Sequence, residues 1–135
     1  MELIKRLHFW LGFAGIIIFI LTGQYMYHVY SQLQGMDDGP RMLFRSGHIY
    51  FLLVAIINLV IGTYLNPAQL PFGRIVQIVV SVVILLAPVF ILTGFFLEPH
   101  LAELDRPYSR LALFALFGMA VLVILVSLWK KFKRN

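Results

Sequence analysis

The chain has 135 residues, 61% of them apolar and 13% charged, with a formal net charge of +5 and no cysteine. A soluble domain carries about 45–50% apolar and about 25% charged residues, so water is not the solvent this sequence is built for; the mean hydropathy of +0.89 agrees. Without cysteine there can be no disulfide, thiolate metal site or iron–sulfur cluster ligated by this chain, and the length allows one domain, residues 1–135.

A bilayer core about 30 Å thick takes about 20 apolar residues as a helix. The first such run is 7–30. It is too long for the apolar core of a signal peptide, and Tyr25, Tyr27, His28 and Tyr30 stand where a small-residue cleavage site would be. It reads as a retained helix. The second run, 43–65, stops at Asn66-Pro67, and the third, 75–97, stops at Glu98-Pro99. The fourth is 108–129. Each Pro lies just past an apolar run, where it cannot continue a helix. The connections are about 12, 9 and 10 residues, short enough to join antiparallel neighbours. The expected fold is therefore all-α, an integral membrane four-helix up-down-up-down bundle.

Lys and Arg in the flanks set the orientation. With the N-terminus inside, Lys5, Arg6, Arg74, Lys130, Lys131, Lys133 and Arg134 fall on the inner face. Arg41, Arg45, Arg106 and Arg110 fall outside, with Asp37, Asp38, Glu98, Glu103 and Asp105. Both termini are expected in the cytoplasm, in a bacterial inner (plasma) membrane. The basic tail then reads as an anchor on anionic lipid rather than a nucleic-acid site. Trp10 and Trp129 near one interface, and Tyr25, Tyr27, Tyr30, Tyr50 and Tyr108 near the other, read as aromatic belts.

Small residues mark helix contacts. Gly12, Gly15, Phe19 and Thr22 share a face of the first helix. Ala55 and Gly62 follow His48 at seven-residue steps on the second. Ala112, Ala115, Gly118 and Met119 line one side of the fourth. These faces serve packing within the bundle or dimerisation. Pro88, mid-span in the third helix, should leave the carbonyl of Ile84 without its usual donor. Asn58 and Ser81 are expected to hydrogen-bond between the second and third helices.

The chemistry lies in the histidines. His28, His48 and His100 come from three helices and gather at the outer face. Imidazole serves iron, copper and zinc, so all three are candidate metal ligands. His28 and His48, at similar depth on neighbouring helices, are the candidate axial ligands of a haem b, with His100 as the substitute. Arg41 and Arg45 would meet the propionates, with Arg106 or Arg110 beside them. Gln24 would hold the second nitrogen of His28. A lone interfacial histidine is more often decoration than a ligand, and no HxxxH or HExxH spacing supports these. His8 stands about 200° around the first helix from His28 and is expected to rest among Lys5, Arg6 and lipid phosphates.

There is no phosphate loop, no nucleophile–base pair at helical spacing, and no continuous polar path for a solute. An enzyme is not the expected reading. The plan is similar to that of b-type membrane cytochromes, a likeness of architecture that carries over no residues. Two functions follow: electron transfer through haem b or a metal near the outer face, or a non-catalytic accessory or scaffold subunit in a homodimer or larger membrane complex.

Overall fold

The computed structural model describes residues 1–68, 71–101 and 104–132, the side chains of 130–132 excepted. The helices are α1 (Glu2–His28), α2 (Asp38–Tyr64), α3 (Pro71–Leu97) and α4 (Pro107–Phe132). Single 3-10 turns occupy Ser31–Leu33 and Glu98–His100, and no strand occurs among the described residues. All four helices are long and apolar enough to cross a membrane. They begin one to five residues before the apolar runs do, because a helix keeps its hydrogen bonds into polar flanks. Glu2 and Asp38 stand in first turns, where negative charge meets the helix dipole. Pro71 and Pro107 open α3 and α4 at the position where a missing N–H costs nothing.

α1 ends at His28, short of the expected Tyr30. The chain then turns through Ser31, Gln32 and Leu33 at φ of 45°, 62° and 62°, and Gly35 at 75°. Left-handed backbone costs an ordinary residue about 1–2 kcal/mol, so this turn needs an anchor. Leu33 provides it, buried against Phe44 of α2 and Phe95 of α3.

The tightest contact is the seam between α1 and α2. Gly12, Gly15 and Thr22 are buried on one side, Ala55, Asn58 and Gly62 on the other. A Cβ added to Gly12 would stand 2.5 Å from the Leu59 nitrogen and 2.9 Å from the Ala55 oxygen. One on Gly15 would stand 2.7 Å from the Ala55 Cβ, and Gly62 lies directly on the backbone of Phe9. Where lipid surrounds helices, apolar burial gives little drive between them, and this close backbone approach replaces it. Rising numbers on α1 meet falling numbers on α2: Phe9 with Gly62, Gly12 with Leu59, Gly15 with Ala55, Gly23 with His48. The end near Gly62 is called proximal here, and the end near His48 distal.

The central core is Phe51, Val54, Ala87, Ile91 and Ala112. Pro88 sits inside α3, and the Ile84 carbonyl it deprives accepts from Asn58 Nδ2 at 3.4 Å. The expected link between α2 and α3 therefore forms through Asn58. Ser81 takes no part in it.

α4 is fastened at its distal start. The buried Glu98 carboxylate accepts the Ser109 N–H and the Ser109 hydroxyl, both at 2.7 Å. Gly94 makes room, since a Cβ there would meet Ser109 Oγ at 2.7 Å and Glu98 Oε1 at 2.9 Å. The expected small-residue face of α4 packs only at this end. Ala112 is buried, Gly118 is exposed with nothing within 4 Å of a Cβ, and Met119 borders a cavity. α4 returns to α3 at its far end, where Trp129 stands edge-on to Phe72 with ring centroids 6.1 Å apart, and the face at Gly118 between these contacts is left uncovered.

Hydrogen bonds to a charged acceptor contribute about 1.5–3 kcal/mol. Glu98→Ala is therefore expected to lower the unfolding temperature of the detergent-solubilised protein by several degrees, and Glu98→Gln, which keeps one acceptor, by less. Thermal unfolding followed by circular dichroism makes the comparison.

Candidate functional site

Two histidines stand in the α1/α2 seam, one toward each end. On α1, His8 precedes Gly12, Gly15, Phe19 and Thr22 at alternating steps of four and three. On α2, His48 precedes Phe51, Ala55, Asn58 and Gly62 in the same alternation. This spacing keeps side chains on one helical face, and each histidine reaches an oxygen on the opposite helix.

His8 is fully buried, which overturns its expected place among Lys5, Arg6 and lipid phosphates. Its Nδ1 lies 2.7 Å from Asn58 Oδ1. The Asn58 amide nitrogen donates to the carbonyls of Val54 at 2.9 Å and Ile84 at 3.4 Å. The Asn58 oxygen must then accept, so His8 Nδ1 carries the proton. That leaves Nε2 with a lone pair. Among the described residues it is the buried side-chain nitrogen or oxygen without a partner. A charged ring would place an unpaired N–H in an apolar interior, a large cost, so the neutral form belongs here.

His48 is wired the same way. The Thr22 hydroxyl donates to the Phe19 carbonyl at 2.9 Å. With its one proton committed there, Thr22 Oγ1 accepts the N–H of His48 Nδ1 at 2.9 Å. The ring lies flat on Phe19, centroids 4.0 Å apart and planes 17° from parallel. Gly23 faces its free edge: a Cβ there would stand 3.4 Å from His48 Cε1 and 3.8 Å from Nε2. A groove of about 300 Å³ opens beside Gly23, lined by Met26, Tyr27, Gln32, Leu33 and Arg45. His48 is half-buried where His8 is sealed.

The other expected ligands are more dispersed. His28 is exposed at the end of α1, its ring edge-on to Tyr27 at 4.9 Å. It stands about 240° around the helix from Thr22, away from the seam. Gln24 is exposed, and no hydrogen bond joins it to His28 among the described residues. His100 is exposed, with Nε2 3.4 Å from the Tyr30 hydroxyl and its ring 6.1 Å from Phe44. Arg41 pairs with Asp38, and Arg45 lines the groove. Arg106 and Arg110 border a separate cavity beyond Tyr50, where Arg110 lies 3.7 Å from Asp105. Glu103, Lys133 and Arg134 lie outside the described residues. Among the described residues no three His, Asp or Glu side chains gather closely enough to share a metal ion.

Sequence reasoning missed His8 and its pairing with Asn58. The signal was present: the four-and-three alternation of Gly12, Gly15, Phe19 and Thr22 extends back to His8, and that of Ala55 and Gly62 passes through Asn58. Comparison with known protein families, with curated proteins and with solved structures finds no match to this chain.

The wiring predicts that both seam histidines are neutral Nδ1–H tautomers near pH 7, which ¹⁵N NMR of histidine-labelled protein reads directly. Asn58→Leu bares the His8 N–H and the Ile84 carbonyl. At about 1–3 kcal/mol for each stranded group, it should cost more thermal stability than Thr22→Val, which strands the His48 N–H beside a groove open to solvent.

Proposed function

We propose that this chain is an integral membrane protein, an up-down-up-down bundle with both termini in the cytoplasm. We propose further that it binds haem b or a metal ion through His48 near the outer face, where it passes electrons. One observation carries the reading. His48 holds its Nδ1–H on Thr22 Oγ1 of the facing helix and turns Nε2, with its lone pair, toward Gly23 at the side of the groove. Ligand histidines are held this way, because the hydrogen bond on one nitrogen fixes the tautomer and raises the basicity of the other. Phe19 sets the plane of the ring, and Gly23 keeps its edge clear. Arg45, one turn before His48 on the same helix, brings positive charge to the groove, where a propionate would need it.

Haem b would supply a reversible one-electron iron couple, tuned by its axial ligands and their hydrogen bonds. With His28 turned away from the seam, His100 would be the second residue to hold it. His8, with the same wiring but no open edge, is assigned to structure.

The test is the absorption spectrum of detergent-purified protein, oxidised and then reduced with dithionite, together with metal analysis. The expected result is a Soret band, or stoichiometric metal, that is lost in His48→Ala and weakened in Arg45→Gln. Wild-type protein from haem-replete cells with neither Soret band nor metal would overturn it.

A second reading, a non-catalytic subunit packed in a homodimer or larger complex, draws on the bareness of α4, where Leu111, Phe114, Phe117 and Val121 are all exposed. On that reading His48→Ala leaves assembly intact, whereas bulky changes on the open face of α4 break it.

A further inference from the structure

We propose that the wedge between α4 and the α2/α3 pair is a binding slot for one acyl chain of an anionic glycerophospholipid. The proposal rests on the membrane reading above and is independent of any cofactor. The wedge is a cavity of about 600 Å³, walled by Ile57 and Ile61 of α2, Val80 and Ile84 of α3, and Leu116 and Val123 of α4. α4 meets α3 at its distal start through Glu98 and Ser109 and again at the proximal end, where Trp129 stands edge-on to Phe72 with ring centroids 6.1 Å apart; the cavity opens between these two contacts.

The length of the slot identifies the occupant. It runs along α3 from Gly73 to Ile84. Eleven residues at about 1.5 Å of rise span about 16 Å, half of a hydrocarbon core about 30 Å thick. The slot is one leaflet deep. Its walls argue against a polar solute, since the polar side chains at the proximal mouth are already engaged. Gln77 bonds the Ala68 nitrogen and the Asn66 oxygen, and Ser127 bonds the Val123 carbonyl. An apolar void of this kind does not hold water.

Charge at the mouth selects the headgroup. Arg74 is exposed beside Gly73 in the first turn of α3. α4 carries Lys130 and Lys131 in its last turn, on the same proximal end. A phosphate at the membrane surface above the slot meets Arg74, which favours an anionic lipid over a zwitterionic one.

Native mass spectrometry of the detergent-purified full chain tests the slot, with phosphatidylglycerol and phosphatidylcholine of identical chains as probes. The expected result is one phosphatidylglycerol retained per chain, at least five-fold more strongly than phosphatidylcholine. Ala120→Phe, which fills the slot from α4, should abolish retention of both. Arg74→Gln should remove the preference but not the binding. Phe114→Ala, on the distal half of α4 outside the slot, should change neither. Equal retention of the two lipids, or full retention in a folded Ala120→Phe protein, would overturn the proposal. The membrane reading fails separately: it predicts that the chain stays with membranes through an alkaline carbonate wash, and release there would overturn that reading instead.

Discussion

Asn58 is the point at which three helices meet through one side chain. In an apolar surrounding every polar group needs a partner, because none can turn to water. Asn58 meets that demand for three groups at once. Its oxygen takes the proton of His8 from α1, and its nitrogen serves the Val54 carbonyl of its own helix and the Ile84 carbonyl of α3. Pro88 is tolerable inside α3 because Asn58 stands opposite the carbonyl that the proline bares. His8 can be buried because the same amide fixes its tautomer. The glycines of the seam let α1 come close enough for the first of these bonds to form.

The two seam histidines show how access, more than wiring, separates a structural imidazole from a chemical one. Each gives its Nδ1 proton to an oxygen on the opposite helix. His8 then presents Nε2 to a packed interior, beneath the point where Phe9 crosses Gly62. His48 presents the same atom beside a glycine and an open groove. The difference follows from position along the seam: His48 stands next to a loop whose left-handed turn leaves space, and His8 stands where two backbones touch.

How much of this was legible in the sequence differs by feature. The helices were, because apolar length and the breakers at Asn66-Pro67 and Glu98-Pro99 act locally. The α1/α2 seam was, because Gly12, Gly15, Ala55 and Gly62 repeat with the period of a helix face. The burial of His8 was not, because the angle of about 200° that separates it from His28 does not say which of the two faces the seam. Rotation about the axis is what decides burial, and the 200° between them leaves room for only one on the seam. Glu98 stood in the sequence among the outer carboxylates. Its capping of Ser109 depends on how α3 and α4 meet, which no local pattern encodes. The same is true of α4, whose run of small residues does not say where along its length it packs.

The lock between Glu98 and Ser109 also sets an order of events at the ribosome. All the bonds that tie α1, α2 and α3 together involve residues before the end of α3, so those helices can interlock while α4 is still being made. Glu98 is translated eleven residues ahead of its partner. Until Ser109 emerges, that carboxylate lacks the two donors that hold it in the folded chain. The last helix thus brings the two donors for Glu98 at one end, Ala112 for the central core, and Trp129 against Phe72 at the other end.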